Sequence, residues 1–536
     1  TVVFLFAVAQ LLEVRTLERA RTEIRGLMDL TPVEALLRDD AGERRVGVDA
    51  VRIGDTIIVR PGEKVPLDGV VSAGESSVNE AAVTGESMPA DKSPGGTVFA
   101  GTINGRGTLE VRVTHLRGDT TVARIIHMVE RAQAQRAPVQ TVVDRFARVY
   151  TPAVLALAVA LAVVPPLTMG QPWMSWLYRG LVLLVVSCPC ALVISTPVSI
   201  VAALAAAARN GVLIKGGAHL ERAARVRCVA FDKTGTLTHG RPQVVDCEAF
   251  GAATLDQVAA LAAAVESRAT HPIAHAIRDL ATARAIAVTP ASDVTTIDGR
   301  GVEGCVGSTR VVLGNHRLFE ERGLCRPAVH ARAEVLAGQG RSTVLVAVDG
   351  EPVGVFGVAD LVRREAQATV ELLRAQRVES AMLTGDGRAT ADAVAAAVGV
   401  RTVRAELLPS DKVTAVQELR RRYGTVAMVG DGINDAPALA SADIGIAMGA
   451  GASDAALETA DIALMGDDLS KLPFALRLSR TTVANIRANL AVALSLKLGF
   501  VVLAVMGSAT LWMAVLADTG ASVLVVLNAL RLLRIR

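Results

Sequence analysis

The chain has 536 residues, 51% hydrophobic and 20% charged, with a mean hydropathy of +0.41 and a net charge of only +3. So balanced a charge, with no concentrated basic face, excludes a general nucleic-acid binder. Long charged stretches alternate with nearly uncharged apolar runs, which excludes both a purely soluble enzyme and a wholly embedded protein.

The chain opens on TVVFLFAVAQLL, without Met or a basic leader. This reads as a helix entered partway and an N-terminal truncation, not as a signal peptide. A bilayer span needs ~20 mostly apolar residues. The predicted spans are 1–12 (incomplete), 150–169, 176–208, 490–506 and 511–530. Five crossings so spaced put both large polar segments and the C-terminus on one side. ERARTEIR after the first run and RLLRIR at the end make that side cytoplasmic. Trp173, Trp176, Tyr178 and Trp512 fall near the opposite turns, where interfacial aromatics belong. The expectation is a multi-pass protein of a cell membrane, of bacterial plasma-membrane type, with the lipid bilayer as its surroundings.

The first polar segment holds short alternating runs such as DTIIVRP and TLEVRVTHL between Gly, Pro and Asp, and predicts a β-rich domain. Its loop NEAAVTGESMP carries Glu86. Within the span 176–208 comes SCPCALVIS, where a proline frees backbone carbonyls and Cys188 and Cys190 offer soft ligands. The other cysteines, Cys228, Cys247, Cys305 and Cys325, are scattered, which argues against a disulfide framework and for a reducing compartment.

The second polar segment starts with RCVAFDKTG and later repeats the form in TVAMVGDGIND: an apolar strand ending in an acidic loop. Ala- and Leu-rich helical stretches between them predict a parallel α/β domain with ligands at the carboxyl ends of its strands. In DKTGTLT, Asp232 sits at a strand tip ahead of Thr and Gly whose backbone N–H groups can cradle a phosphate. That placement suits a nucleophile that accepts a phosphoryl group. Asp431 and Asp435 in MVGDGINDAPA supply paired acids for Mg²⁺, a hard ion that prefers oxygen ligands. In the last two spans, Lys497 (ALSLKLGF) and Asp518 (AVLADTGAS) are ionisable groups in apolar surroundings, costly and usually functional.

DKTGTLT resembles the phosphorylation signature of P-type ATPases, members of the larger haloacid-dehalogenase-like fold group. The resemblance extends over essentially the whole chain. It implies that Thr384 and Asp386 in LTGDG and Lys412 in LLPSDK lie beside the phosphate, and that Glu86 in TGES positions the water that hydrolyses the aspartyl phosphate. Phosphatases of this fold group carry a second acid two residues after the nucleophile, where this chain has Thr234, so the phosphoenzyme should persist until Glu86 arrives. Asp360 in VADLVRREA resembles a hinge motif that usually carries Pro where this chain has Arg364. Glu266, His271, Gly299, Gly301, Gly314 and Asn315 resemble the residues that surround adenine and ribose in the heavy-metal branch. The absence of a GxxxxGK[ST] string means that ATP is not held by a P-loop.

Within this family SCPC resembles the transport site of heavy-metal pumps. Two thiolates plus the Asp518 carboxylate suit a soft divalent ion, Zn²⁺, Cd²⁺ or Pb²⁺, with Lys497 as countercharge. The Tyr-Asn and Met-Ser-Ser motifs of copper pumps are missing, and Met506 and Met513 read as packing residues. Glu13 resembles a carboxylate on the ion-release path. The expected organisation is a partial membrane helix (1–14), a β-rich actuator domain with linkers (15–145), two membrane helices (146–210), a haloacid-dehalogenase-like α/β phosphorylation domain (211–239 and 356–480), an inserted α+β nucleotide-binding domain (240–355) and two final membrane helices (488–530). The function that follows is ATP-driven export of Zn²⁺, Cd²⁺ or Pb²⁺ with ATP and Mg²⁺ as cofactors. A Cu⁺ exporter and a non-pumping membrane metal sensor are the alternatives.

Overall fold

The computed structural model describes residues 32–39, 42–80, 89–120, 123, 138–187, 190–269, 271–297, 300–431, 435–449 and 459–535. Contacts divide the chain into two units, Thr1–Val226 with Asp461–Arg536, and Arg227–Ala460.

In the first unit, alternating sequence becomes a six-stranded antiparallel sheet that includes Glu34–Asp39, Thr56–Val59, Gly69–Ala73 and Leu109–Val113. Its period of two sends Ile57, Val59, Leu109, Val111 and Val113 into one core with Leu67 and Val78. A three-stranded sheet pairs Ser76–Asn79 with Ala90–Lys92, and Glu86 falls between these two strands in the sequence. Glu86 itself lies outside the described residues, as do Glu13, Cys188 and Gly299.

The apolar runs form the helices Pro138–Met169, Trp173–Val186, Cys190–Arg209, Lys471–Val505 and Leu511–Leu530. Among the described residues, four helices are long and apolar enough to cross a membrane. The run expected as one span over 176–208 is divided: a 14-residue helix ends at Val186 and a 20-residue helix begins at Cys190. The division falls on the SCPC string, where proline supplies no N–H and its ring cannot follow a helical turn. The span expected from 490 is the second half of a 35-residue helix that starts at Lys471, inside the stretch assigned by sequence to the phosphorylation domain. Met506 and Met513 are 68% and 40% exposed beside the connection at 507–510. Trp173 and Trp512 are likewise about half exposed, as interfacial anchors would be.

The second unit contains a parallel sheet in the order Ile444–Met448, Val426–Gly430, Cys228–Asp232, Glu379–Leu383, Thr402–Arg404. The strand Cys228–Asp232 is central and fully buried, so its uninterrupted apolar run is what a strand covered on both faces requires. Neighbours added on both of its sides open a crevice at the carboxyl ends. A six-stranded antiparallel sheet follows, from Thr238–Ala249 to Ser292–Ile297. Val311, Leu313, Val344 and Val346 face the helices Leu255–Val265 and Pro272–Ala283, while Val312, Leu345 and Ala347 face His316–Glu321 and Pro327–Gly338. The two segments leading into and out of this sheet pair from Thr238 with Val362 to Ala249 with Gly354, with register shifts between Thr238 and Pro242 and between Val244 and Asp246. The boundaries expected at 240 and 355 therefore lie within one ladder.

Candidate functional site

Three strand tips converge on Asp232. The loop after it, Lys233–Leu237, is irregular, with Gly235 at φ +72°. A Cβ at Gly235 would stand 1.6 Å from Asp431 Oδ2, so only glycine lets the two acidic loops approach. The carboxylate oxygens of Asp232, Asp431 and Asp435 lie within 4.8 Å of one another. Lys412, in the first turn of helix Pro409–Tyr423, donates to Asp232 Oδ1 at 2.5 Å and to Asp435 Oδ1 at 2.7 Å.

The charges of this cluster are unequal. Burial, then the Asp435 charge, pushes Asp232 up to about 7, against the pull of Lys412. Burial opposes the charge on Lys412 as well, but Asp232 and Asp435 outweigh it and hold the ammonium above its ordinary value. Several carboxylates thus share one cation, and the surplus negative charge is what a divalent ion would neutralise. Oxygen donors this close suit Mg²⁺ and would not suit a soft ion.

Thr384 and Asp386 follow the neighbouring strand Glu379–Leu383, and Thr384 is buried. Asp386 is ion-paired with Lys233, the residue after Asp232. Thr234 lies in the Asp232 loop and is exposed. Sequence reasoning overlooked Lys233 and Arg363, both buried. The Arg363 guanidinium donates to the Gly235 carbonyl at 2.9 Å and the Thr238 carbonyl at 3.1 Å, pinning the loop after Asp232. Asp360 does the same for the following turn, accepting from Thr238 Oγ1 at 2.5 Å and from the backbone N–H of Gly240 and Arg241 at 3.2 Å. An Asp near the end of strand Glu351–Val362 and an Arg just past it were the available signal.

The candidate nucleotide residues occupy the antiparallel domain. Glu266 is buried, with Oε2 at 3.4 Å from His271 Nε2 and no hydrogen-bond donor among the described residues. Burial raises its carboxyl above the ordinary range, against the attraction of His271. His271 caps helix Pro272–Ala283, its Nδ1 accepting from the Ala274 N–H at 3.2 Å. Gly301 and Gly314 are direct cross-strand partners, and a Cβ at Gly301 would meet the Leu313 carbonyl at 2.1 Å. Asn315 accepts from Leu318 N–H at 3.0 Å and so caps helix His316–Glu321, a local task its sequence motif did not announce.

The candidate ion site belongs to the helices. Lys497 donates to Asp518 Oδ1 at 3.0 Å and to the carbonyl of Val186 at 3.3 Å. Val186 is the last residue before the break at SCPC, so its carbonyl has lost the donor that a continuous helix would provide. A small cleft of ≈ 10 Å³ lies here, lined by Val186, Lys497, Phe500, Ala514 and Asp518. Cys190 begins the helix beyond the break. The sequence reading also missed an amide network: Asn485 donates to the Asn528 carbonyl, Asn489 to Asn485, and Asn528 to Asn489, while Ser199 donates to Asn485.

A parallel sheet with an acidic cluster at its strand tips, in one chain with a β-rich domain and apolar helices long enough to cross a membrane, fits a phosphoryl-transferring membrane ATPase. Residues 29–130 match the P-type ATPase actuator domain, and 226–443 match the haloacid dehalogenase-like hydrolases. The chain is 47% identical, over its whole length and 67% of the relative, to a probable cadmium-transporting ATPase of Staphylococcus aureus. It is 44% identical, over its whole length and 72% of the relative, to the zinc/cadmium/lead-transporting P-type ATPase of Escherichia coli (strain K12). A crystal structure of a zinc-transporting PIB-type ATPase in the E2.Pi state matches with a TM-score of 0.69 at 41% identity, over 99% of this chain and 86% of that one. The chain belongs to the P-type ATPases, in the zinc-, cadmium- and lead-transporting branch.

Proposed function

We propose that the protein exports Zn²⁺, Cd²⁺ or Pb²⁺ from the cytoplasm across a cell membrane, driven by ATP through an aspartyl phosphate on Asp232. The observation that carries this reading is the buried cluster of Asp232, Asp431, Asp435 and Lys412, in a chain whose apolar helices hold a separate charge-paired cleft beside SCPC. The names of the relatives speak for divalent ions over Cu⁺.

Asp232 attacks the γ-phosphorus, a P–O bond forms to its carboxylate, and ADP leaves with the bridging oxygen. Lys412 steadies the phosphoryl oxygens and Thr384 offers a hydroxyl beside them. Asp386 keeps Lys233 in place and thereby the loop. Bound by Asp232, Asp431 and Asp435, Mg²⁺ would neutralise charge on the transferring phosphate. Glu266, His271, Gly299, Gly301, Gly314 and Asn315 hold the nucleotide: Glu266 Oε2 is a buried acceptor suited to a base amino group, and the paired glycines leave a flat floor. Thr234 brings no acid to the phosphorylated aspartate, so hydrolysis waits for Glu86 to orient water. In the membrane, Cys188, Cys190 and Asp518 bind the cargo ion, and Lys497 takes the carboxylate back when the ion departs.

The test is labelling from γ-phosphate-labelled ATP. A Zn²⁺- or Cd²⁺-stimulated, hydroxylamine-sensitive label should form, vanish in Asp232→Asn and outlast the parent's in Glu86→Ala. Unchanged labelling of Asp232→Asn overturns the reading.

A further inference from the structure

Away from both sites, residues 316–330 bring metal-ligand chemistry together on the antiparallel domain. His316 Nε2 lies 3.2 Å from Cys325 Sγ and 2.8 Å from His330 Nδ1. Glu320 Oε1 is 3.7 Å from the former nitrogen and 3.8 Å from the latter. A tetrahedral ion with bonds of about 2.0–2.3 Å sets its ligand atoms about 3.3–3.8 Å apart. The donors therefore need to open by only about half an ångström, mainly between the two imidazoles, to admit one.

The framework is built before any ion arrives. Asn315 caps the helix that starts at His316, and Phe319 anchors that helix in the core. The helix ends on Gly323 at φ +66°, with Leu324 N–H donating to the Phe319 carbonyl at 2.8 Å and Gly323 N–H to Glu320 at 3.0 Å. This left-handed closure fixes the chain that presents Cys325. His330 stands in the first turn of helix Pro327–Gly338, and its Nε2 is 3.3 Å from Glu334 Oε1. A carboxylate on one imidazole nitrogen fixes the proton there and leaves the other nitrogen's lone pair for a metal.

We propose that His316, Cys325 and His330, with Glu320 as fourth donor, form a second site for a soft divalent ion, distinct from the membrane cargo site. Two imidazoles, a thiolate and a carboxylate select Zn²⁺-like ions over Mg²⁺. A bound ion would clamp the helices His316–Glu321 and Pro327–Gly338 together, one residue from Asn315.

The test uses the full chain carrying Cys188→Ser and Cys190→Ser, so that no membrane thiolate contributes, with Co²⁺ as the spectroscopic probe. One equivalent of Co²⁺ should give a tetrahedral visible band and a near-ultraviolet thiolate-to-cobalt band, both removed by Zn²⁺. Cys325→Ser should abolish the near-ultraviolet band, and His330→Gln should weaken Co²⁺ binding by at least about tenfold. Thermal melts without metal check that both variants are folded. The proposal fails if no thiolate band forms, or if the band survives Cys325→Ser and His330→Gln unchanged.

Discussion

The side chain of Lys412 is only 11% exposed and is ion-paired with two carboxylates at once. Removing one partner of a buried pair costs about 3–5 kcal/mol, because the remaining charge stays buried without a counter-ion. Lys412→Met should therefore fall short of that loss, since Asp232 can take up a proton, and it should still slow phosphoenzyme formation by about 10²–10³-fold. Initial labelling rates and thermal melts of the same preparation separate the two effects. Asp232 makes a pH prediction as well. Its folded value, about 7, lies above the ordinary value of 3.8, so the folded state keeps the proton longer. The stabilisation is complete below the ordinary value and is lost as pH rises through about 7. Without Mg²⁺, Asp232→Asn, which cannot ionise, should flatten this slope and melt higher than the parent above neutrality. The slope it removes is at most about 1.4 kcal/mol for each pH interval of one between those two values. A parent that gains stability over the same interval relative to the variant would contradict the burial argument. Asp232, Asp431 and Asp435 were legible because each sits in a string whose chemistry is visible locally, whereas Lys412 was reached only through the family resemblance. Lys233 and Arg363 were not legible: Lys233 pairs with an aspartate 153 positions away, and Arg363 serves backbone carbonyls.

At the scale of elements, the sequence placed the central strand Cys228–Asp232, the second acidic strand and the last apolar helix, because hydrophobic runs and turn residues mark them. The span expected over 176–208 is two helices separated at SCPC, where the proline already marked an opening of the helix although hydropathy stays high across it. The sequence linked SCPC to Lys497 and Asp518 across the helices but did not show a second set of polar contacts between them. Asn485 and Asn489, four residues apart on one helix, and Asn528 on the next close a network of amides that holds them together with Ser199. In an apolar setting such bonds contribute about 0.6–1.7 kcal/mol each. Asn489→Ala removes the donor to Asn485 and the acceptor for Asn528. The detergent-solubilised chain should lose stability by about 1–2 kcal/mol in thermal or denaturant melts. Phosphorylation of Asp232 measured from the nucleotide side should be retained at low temperature. Unaltered melting would mean that the amides find equivalent partners once the helices relax.

For the whole molecule, the question is how one carboxylate can both attract an ion and let it go. Lys497 holds Asp518 at 3.0 Å while also satisfying the Val186 carbonyl at the helix break. If Asp518 is a cargo ligand, as proposed, an incoming divalent ion would have to displace an ammonium from a carboxylate, and the ammonium's return would assist release. The pair would then lower the affinity of the loaded state and stabilise the empty one, a bias set by differential contacts in the two states. Removing each member separates the roles. Asp518→Ala takes away a ligand and should abolish Zn²⁺- and Cd²⁺-stimulated ATP hydrolysis, leaving Lys497 on Val186. Lys497→Met removes the competitor and leaves the ligand, so ion binding should tighten by about tenfold or more, that is about 1.4 kcal/mol. Turnover should nevertheless fall, since the emptied site would keep a buried, uncompensated carboxylate. Equilibrium ⁶⁵Zn binding beside metal-stimulated ATPase rates, in lipid vesicles, measures both quantities on one preparation. If Lys497→Met weakens binding, the ammonium acts in holding the site's shape and not as a stand-in for the ion. If binding tightens while turnover drops, the pump resets by exchanging its cargo for its own lysine.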